Sequence, residues 1–354
     1  MKILITGGCG FVGSNIAILF KQYYTSSEVY CLDNLSRKGS EINLQKILSS
    51  GCFFVHGDVR IKTDFERLPK VDLIIDAAAE PSVLAGKNTG ELENLIDTNF
   101  NGTINALYYA KKCSAEIIFL STSRVYPYDS LAKVNITSTL KRFHLSQNQE
   151  IIGISQKGIS ENYPLNGFRS LYGATKLSSE YFIQEFSENF GIPAIINRCG
   201  VLSGPNQMGK IDQGVIVLWM AKHFWKGNLG YIGFGGLGQQ VRDVLHVRDL
   251  FNLIQLQIKN LSLKKGEIYN VGGGIENSIS LAELTESCSQ ITGNKINISS
   301  ISENRQGDLP IYITNNTLIN DIYGWKPEIS IDQLLHDIYN WIKKDQLFLK
   351  SILS

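Results

Sequence analysis

Two side chains with acid–base chemistry occur close together in the segment Tyr172-Gly173-Ala174-Thr175-Lys176. Residues four apart lie on the same face of a helix, so Tyr172 and Lys176 would be neighbours there. A phenol with a reference pKa of about 10 is a poor base at neutral pH, but a nearby ammonium favours its ionised form. The pair could therefore remove a proton from a substrate hydroxyl, with Tyr172 as the base and Lys176 as the residue that tunes it.

Hydroxyl side chains cluster at the end of a predicted strand closer to the N-terminus. The run at residues 116–120 is followed by Ser121-Thr122-Ser123-Arg124-Val125-Tyr126. A hydroxyl at this strand end could hold the substrate oxygen from which Tyr172 takes the proton. The Tyr-x-x-x-Lys spacing also arises by chance, as a surface tyrosine and a solvated lysine, so the catalytic interpretation depends on the surrounding motifs.

The first supporting motif is a glycine-rich turn near the N-terminus. Lys2–Thr6 predicts a strand, residues 7–13 (Gly-Gly-Cys-Gly-Phe-Val-Gly) a sharp turn into a helix, and residues 29–32 a second strand that ends at Asp33. Glycines permit the turn, and the helix N-terminus offers free N–H groups to a pyrophosphate. Asp33 stands where a carboxylate accepts ribose hydroxyls. The segment predicts a dinucleotide site rather than an ordinary tight turn.

The identity of the dinucleotide depends on Asp33 and on the polar loop after it, Asn34-Leu35-Ser36-Arg37-Lys38-Gly39. A 2′-phosphate about 4 Å from the Asp33 carboxylate would cost roughly 1 to 4 kcal/mol in like-charge repulsion. This cost favours NAD over NADP. Arg37 is the argument for NADP, because an arginine beside the site can accommodate a 2′-phosphate.

Further cofactor contacts are predicted at the ends of later strands. Asp58 follows the strand at residues 52–56, where its carboxylate could reach the adenine amine or, alternatively, form a solvated turn. Small residues end the strand at 73–79 and would let a flat cofactor lie against the backbone, and Asn99 begins a predicted amphipathic helix. The residues predicted to bind NAD are Gly7, Gly10, Phe11, Val12, Gly13, Asp33, Asn34, Ser36, Arg37, Asp58, Val59, Ala77, Ala79, Asn99, Tyr172 and Lys176.

Strands and helices alternate through residue 125, which predicts an α/β fold with a doubly wound parallel sheet of the Rossmann type. We expect residues 1–200, joined by about 242–275, to form this NAD-binding domain. Residues 201–241 and 276–354 are expected to form a smaller mixed α/β lobe that binds substrate. The irregular segment 127–168 is predicted to be a long excursion over the sheet edge, and loops of that length are usually functional.

The composition is that of an ordinary globular protein, with 43% hydrophobic and 19% charged residues and a formal net charge of +1. This charge gives no basis for binding nucleic acid or an anionic membrane surface. Six cysteines without metal-ligand spacing favour buried, reduced thiols, and no metal site is expected. No apolar run approaches the roughly 18 residues of a membrane span, and the first strand leaves no room for a signal peptide, so we expect a cytoplasmic protein.

Together, the glycine turn, the Asp33 loop, the hydroxyl-rich strand end and the Tyr172/Lys176 pair resemble the extended short-chain dehydrogenase/reductases, in particular their nucleotide-sugar branch. The segments 55–60, 212–214 and 240–246 more narrowly resemble the CDP-sugar 2-epimerases of that branch. The resemblance implies an NAD that stays bound, oxidises a sugar hydroxyl to a ketone and returns the hydride to the opposite face. It also implies a homodimer or homotetramer built on a pair of helices from each subunit.

The resemblance assigns roles to further residues. In the family, the active-site hydroxyl lies three places before the valine of a Val-Tyr pair, which selects Thr122, with Ser123 as the alternative. Lys176 would also bind the nicotinamide ribose.

The substrate contacts implied by the resemblance are Gln213, Arg242 and Arg305. The two arginines match family arginines on the nucleotide diphosphate, where a guanidinium can donate two parallel hydrogen bonds to phosphate oxygens. For each of them, a structural ion pair with Asp243 or Asp308 is the alternative interpretation.

One difference between this sequence and the dehydratases of the branch limits the type of reaction that we expect. These dehydratases carry an Asp-Glu pair after the active-site threonine, where this sequence has Ser123 and Arg124. No side-chain acid would be placed there to protonate a leaving hydroxyl. We therefore expect an NAD-dependent isomerase that epimerises a nucleotide-linked hexose, most like a CDP-sugar 2-epimerase. The alternatives are a nucleotide-sugar 4-epimerase or 4-reductase, and a non-catalytic NAD-binding module.

Overall fold

The computed structural model of the chain describes residues 1–82, 89–209, 213–305 and 307–353. Within these ranges the β-strands are, in chain order, β1 (Lys2–Thr6), β2 (Glu28–Asp33), β3 (Phe53–His56), β4 (Leu73–Asp76), β5 (Glu116–Thr122), β6 (Ile136–Ser138), β7 (Phe143–Leu145), β8 (Ile154–Ser155), β9 (Gly158–Ile159), β10 (Ala194–Cys199), β11 (Val201–Ser203), β12 (Leu229–Ile232), β13 (Val241–His246), β14 (Lys265–Val271), β15 (Ser278–Ser280), β16 (Ile298–Ile301) and β17 (Ile311–Tyr312). The α-helices are α1 (Phe11–Tyr23), α2 (Ser40–Ser49), α3 (Lys62–Glu66), α4 (Thr89–Ile96), α5 (Gly102–Cys113), α6 (Tyr128–Leu131), α7 (Leu171–Phe190), α8 (Val215–Phe224), α9 (Val247–Ile258), α10 (Leu281–Thr292), α11 (Thr317–Tyr323), α12 (Ile331–Lys344) and α13 (Gln346–Leu353).

The chain divides into two compact units. Unit 1 contains Met1–Val125, Ser170–Cys199 and Leu250–Tyr269, and unit 2 contains Tyr126–Arg169, Gly200–Asp249 and Asn270–Ser354. No helix within the described ranges combines the length and apolarity needed to cross a membrane.

Unit 1 is built on a sheet with the strand order β14-β10-β5-β4-β1-β2-β3. The pairings from β10 across to β3 are parallel. The chain winds outward from β1 in both directions, so the strand order reverses there, and ligands of such sheets bind at the carboxyl ends of the strands beside this point. The predicted doubly wound α/β fold is confirmed.

Helices cover both faces of this sheet because its strands are apolar on both sides. Leu4 of β1 belongs to a buried cluster with Leu107 of α5 and Ile183 of α7. Its neighbours Ile3 and Ile5 are also fully buried, and alternation along a strand directs them to the opposite face. Near-continuous apolar strands of this kind are typical of parallel sheets that are covered on both sides.

Unit 2 is organised around β13, which pairs with β11 and β17 in parallel and with β15 antiparallel. Helix α10 packs against α8 and α12. Helix α10 begins with a capping box, in which Ser280 and Glu283 bond each other's backbone N–H groups at 3.1 and 2.9 Å. Two buried apolar side chains of α12, Leu334 and Ile338, share one face of that helix.

Two features differ from the sequence-based expectations. Residues 126–169 belong to unit 2, whereas the predicted bounds placed them within residues 1–200. Their short strands depend on backbone partners far along the chain, for example Phe143 N to Gln239 O at 3.1 Å. The helix predicted to begin at Asn99 begins earlier, because α4 continues through a π-helical turn, Asp97–Asn101, into α5. Single π-helical turns of this kind are frequent at functional sites.

Candidate active site

The glycine-rich turn joins β1 to α1 without an intervening loop. Gly7 has φ +63°, and a Cβ there would lie 2.9 Å from Ala78 Cα. A Cβ on Gly13 would lie 2.2 Å from Gly7 O, so α1 approaches the turn only because residue 13 is glycine, whereas Gly7 permits the close approach of the segment after β4. Gly10 is the N-cap of α1 and contributes no side-chain hydrogen bond. The N–H groups of residues 11–13, in the first turn of α1, therefore suit an anionic group such as a pyrophosphate.

Asp33 ends β2 beside this turn and is held by backbone N–H groups. Cys9 N donates to Oδ2 at 2.9 Å and Leu35 N donates to Oδ1 at 2.8 Å. Burial raises the pKa of Asp33, while these donors act in the opposite direction. A carboxylate oxygen accepts more than one hydrogen bond, so both oxygens retain capacity for ribose hydroxyls. Arg37 is half-buried in the following loop.

Asn34 and Asp58 connect the ends of β2 and β3. Asn34 Nδ2 donates to Asp58 Oδ2 at 2.9 Å, and Asn34 Oδ1 accepts from the N–H of exposed Ser36 at 3.0 Å. Asp58 also forms an ion pair with Arg60 at 2.6 Å. Burial acts to raise the pKa of Asp58, but hydrogen bonds from Arg60 and Asn34 lower it to about 2. Asp58 is therefore an ionised acceptor next to the Asp33 loop, and Val59 after it is buried.

Thr6 positions the small residues that follow β4. Ala77 N and Ala78 N each donate to Thr6 Oγ1 at 3.1 Å, so the segment through Ala79 leaves the sheet beside the glycine turn. The glycine cradle, the acid at the end of β2 and these small residues together fit the pyrophosphate, a ribose and a flat ring of NAD.

Asn99 is fully buried in the π-helical turn and holds the backbone of Glu80. Glu80 N donates to Asn99 Oδ1 at 2.7 Å, and Asn99 Nδ2 donates to Glu80 O at 3.1 Å and to Thr175 Oγ1 at 3.3 Å. The side chain thus joins the segment after β4 to the helix that carries Tyr172 and Lys176. A direct contact between Asn99 and the cofactor stays a prediction.

Helix α7 begins immediately before Tyr172. Ser170 is its N-cap, with Oγ accepting from Gly173 N at 3.1 Å, so Tyr172 lies in the first turn. Burial raises the pKa of Tyr172 to about 12, while the interaction of the phenol with the Thr122 hydroxyl and the charge of Arg124 act in the opposite direction. Thr122 and Arg124 therefore both act to lower the pKa of the phenol against the effect of burial.

Thr122 is the last residue of β5, and Ser123 begins the 3₁₀ turn that follows it. Thr122 Oγ1 accepts from Arg124 N at 3.2 Å, which holds the turn against the strand end. The structure therefore brings Thr122 to Tyr172, and the alternative candidate Ser123 lies half-buried one residue further on.

Lys176 is buried in unit 1, with only 2% of its surface exposed. Its Nζ lies 4.2 Å from the centre of the Phe119 ring on β5. Burial lowers the pKa of Lys176, and the carboxylates of Asp76 and Glu180 act in the opposite direction. The Tyr172/Lys176 pair thus occupies the face of α7 that is turned towards β5.

A buried ion pair beneath this site is not part of the sequence-based prediction. Arg198 of β10 and Glu180 of α7 meet at 2.7 Å, with their side chains 3% and 1% exposed. Ser121 Oγ donates to Glu180 Oε1. A detectable signal exists in the sequence, since an acid four residues after Lys176 continues the face that carries the motif.

The predicted substrate residues lie in unit 2. Arg242 Nη2 is 3.0 Å from Asp308 Oδ1, so its ion-pair partner is Asp308 rather than the adjacent Asp243. Asp308 N donates to the carbonyl of the exposed Arg305, which places both arginines around one turn. Gln213, just before α8, has a buried Oε1 without a hydrogen-bond donor among the described residues.

Comparisons with known proteins agree with this geometry. Residues 3–272 match the model of the NAD dependent epimerase/dehydratase family. The chain is 30% identical to CDP-paratose 2-epimerase of Salmonella typhi, over 96% of this chain and 99% of that protein. It is 29% identical to a putative UDP-glucose 4-epimerase of Methanocaldococcus jannaschii, over 97% and 99%. A dTDP-glucose 4,6-dehydratase from Bacillus anthracis, solved in complex with NAD, has a TM-score of 0.78 at 25% identity and 99% coverage of both chains.

These matches confirm the predicted resemblance, the dependence on NAD and the assignment to the class of NAD-dependent epimerases. They leave the individual site residues, the nucleotide and the inverted carbon as predictions.

Proposed function

Because the chain belongs to the NAD dependent epimerase/dehydratase family, we propose that it is a CDP-sugar 2-epimerase of the CDP-paratose/CDP-tyvelose type. The observation that carries the proposal is the grouping of Thr122, Tyr172 and Lys176 with Ser123 and Arg124 where related dehydratases have acids. Similarity to CDP-paratose 2-epimerase along 96% of the chain supports CDP as the nucleotide and carbon 2 as the inverted centre.

The proposed reaction is redox-neutral. NAD, when bound, would supply the acceptor for a hydride from the sugar carbon and the donor that returns this hydride to the opposite face of the resulting ketone. Tyr172 takes the hydroxyl proton as the C–H bond breaks and gives a proton back to the same oxygen after inversion. Thr122 holds that oxygen by hydrogen bonding. Because proton and hydride both return, the balance of atoms and electrons needs no further reactant.

The protonation state of Tyr172 controls the first step. Burial holds its pKa at about 12 in the chain, so the phenol needs neighbouring positive charge to act as a base near neutral pH. Arg124 already acts in this direction from the turn after β5. We assign the second positive charge to Lys176, one helical turn from Tyr172, together with binding of the nicotinamide ribose.

We propose that unit 2 supplies the groups that bind the nucleotide diphosphate. Arg242 and Arg305 are arranged around the turn at Asp308, which holds the Arg242 guanidinium at 3.0 Å, and the two guanidinium groups would bind phosphate oxygens. Gln213 would add an amide contact to the substrate.

We further propose that the enzyme is a cytoplasmic homo-oligomer that associates through α5 and α7. These helices expose aromatic residues, with Tyr108 47%, Tyr181 54%, Phe182 44% and Phe190 48% exposed. Exposed aromatic residues of this kind are enriched at protein–protein interfaces. All six cysteines are free and buried, as expected in a reducing compartment.

The proposal is tested by incubating the purified protein with CDP-, UDP- and dTDP-linked hexoses and analysing the products by NMR. Inversion at carbon 2 of a CDP-sugar is the expected result. The second candidate, a nucleotide-sugar 4-epimerase or 4-reductase, is supported by the 29% identity to a putative UDP-glucose 4-epimerase. Inversion at carbon 4 would select the 4-epimerase, and net consumption of NADH would select the reductase. If the protein binds NAD but converts no nucleotide sugar, the remaining interpretation is a non-catalytic NAD-binding module.

A further inference from the structure

We propose that the buried Arg198–Glu180 ion pair is a positioning device for the reaction, which holds α7 in the one placement where Tyr172 and Thr122 act on the same substrate oxygen. The inference rests on the proposed function. It concerns residues that touch neither the reacting atoms nor, in our assignment, the cofactor.

The geometry of the pair joins three elements of unit 1. Arg198 Nη2 donates to Glu180 Oε2 at 2.7 Å, and Arg198 Nε lies 3.1 Å from each carboxylate oxygen. Ser121 of β5, directly opposite Arg198 in the parallel register of β5 and β10, donates its hydroxyl to the same carboxylate. Glu180 therefore connects α7 to the ends of two adjacent strands.

These connections lie next to the groups that perform the chemistry. Ser121 directly precedes Thr122, and Glu180 is one helical turn beyond Lys176. At a rise of about 1.5 Å per residue, Glu180 is roughly 6 Å from Lys176 and 12 Å from Tyr172 along the helix axis. A displacement of Glu180 would thus move Tyr172 relative to Thr122.

Stability alone does not account for such a pair. Removing two charges from water is expensive, and well-packed apolar residues in the same places are often neutral or stabilising. A planar guanidinium that meets a carboxylate through several N–H groups adds a defined geometry that apolar contacts lack. We therefore attribute the pair to the position of α7, and its loss should appear in the chemical step.

The chain offers a matched control in the neighbouring residue of the same strand. Asn197 and Gln257 of α9 are both fully buried and exchange two hydrogen bonds at 2.9 and 2.8 Å. Side chains alternate along a strand, so Asn197 and Arg198 point to opposite faces of the sheet. The Asn197–Gln257 pair is a buried polar connection of β10 that does not involve α7.

The test compares the double variant Glu180→Leu/Arg198→Met with the control Asn197→Leu/Gln257→Met, both as the NAD-bound protein. We expect the first variant to keep NAD and a nearly unchanged KM while kcat falls by about 100-fold, because a displacement near 1 Å has an effect of that size. The control should keep its kcat. An unchanged kcat in the first variant would overturn the proposal. A rise in KM without a fall in kcat, or an equal fall of kcat in the control, would do the same.

A crystal structure of the NAD-bound double variant gives a readout that does not depend on turnover. We expect Tyr172 Oη to lie further from Thr122 Oγ1 than in the unaltered protein, and an unchanged separation would contradict the proposal. If the unaltered protein converts no nucleotide sugar, the proposed function fails while this comparison still decides the positioning role. If the double variant does not fold, the variant Glu180→Asp replaces it, because it retracts the carboxylate by one methylene. For this variant we expect a smaller fall of kcat and again a longer distance from Tyr172 Oη to Thr122 Oγ1, and the absence of either change would contradict the proposal.

Discussion

Asp33 Oδ2 accepts a hydrogen bond from the Cys9 N–H at 2.9 Å, which connects the end of β2 to the glycine turn after β1. The carboxylate that is predicted to bind the adenosine ribose therefore also orders the backbone that is predicted to bind the pyrophosphate. An epimerase must recover the hydride it removes, so this connection bears on retention of the cofactor as well as on its selection.

Asp33→Ala should yield protein that loses NAD during purification, because both the ribose acceptor and the bond to Cys9 are removed. The preference for NAD over NADP should also fall by about tenfold or more, since the like-charge repulsion disappears. The measurements are the NAD content of the purified protein and the binding constants of both dinucleotides. Asp33→Asn, which keeps the side-chain shape, is the control for charge, and full occupancy in Asp33→Ala would contradict the role.

Tyr172→Phe should fold and bind NAD but lose activity by about 10²- to 10⁴-fold, the usual contribution of a general acid–base group. Rates of sugar inversion and of the first reduction of bound NAD would both be measured. Tyr181→Phe is the matched control, because Tyr181 lies on the same helix and is 54% exposed. Unimpaired inversion by the Tyr172→Phe variant would remove Tyr172 from the mechanism.

We expect kcat to rise with increasing pH as Tyr172 ionises. Since Arg124 acts to lower the pKa of Tyr172, Arg124→Gln should raise that pKa and move the rising limb to higher pH. The comparison needs pH–rate profiles of both proteins, with Arg67→Gln as a control for loss of a surface charge, because the Arg67 side chain is 70% exposed. A limb that stays in place, or moves to lower pH, would contradict the assignment.

Stability should decrease in acid because of His246. Burial lowers the pKa of His246 from 6.5 to about 4, so the folded protein binds this proton less readily than the unfolded chain. The contribution of His246 to the free energy of unfolding is therefore fully present above about pH 6.5. It is lost as the pH decreases towards 4, and the loss at pH 5 is about 2 kcal/mol. Denaturant unfolding of the protein and of His246→Gln across this range would measure the difference, with exposed His336→Gln as control. Parallel pH profiles for all three proteins would exclude the effect.

The double variant Tyr108→Glu/Phe182→Glu should dissociate the proposed oligomer, because it places charges in the exposed aromatic patch of α5 and α7. Light scattering after size-exclusion chromatography measures the mass of the particle. Tyr23→Glu is the control, since Tyr23 is on α1 and is 60% exposed. An unaltered protein that is already monomeric, or a variant that keeps its mass, would rule out this interface.

Local signals explain why Tyr172 and Lys176 could be predicted to share one helix. Both residues lie on α7, since Ser170 caps its first turn and Gly191 ends it with φ +66°. These are the residue types that start and stop helices by their own chemistry. The strand and turn at residues 2–13 were also predictable from local residue types, because an apolar run forms the buried strand and glycine adopts the φ of +63° at residue 7.

Interactions between distant residues explain what the sequence could not provide. The strands at 136–159 are only two or three residues long and form two antiparallel pairs, which are joined by backbone bonds to residues as distant as Gln239 and Ile313, so the segment was predicted as irregular. The partner of Arg242 depends on a turn more than sixty residues away, which brings Asp308 rather than Asp243 to its guanidinium. The Arg198–Glu180 pair was missed because Glu180 continues the face of α7 that carries the motif, but no local pattern shows that β10 places Arg198 against it.

The most direct test of the central claim is product analysis after incubation with CDP-paratose or CDP-tyvelose in deuterated water. Direct return of the hydride predicts a product inverted at carbon 2 that carries no solvent deuterium at that carbon. Deuterium at the inverted carbon would show exchange with solvent, as in enolisation, and would contradict the account.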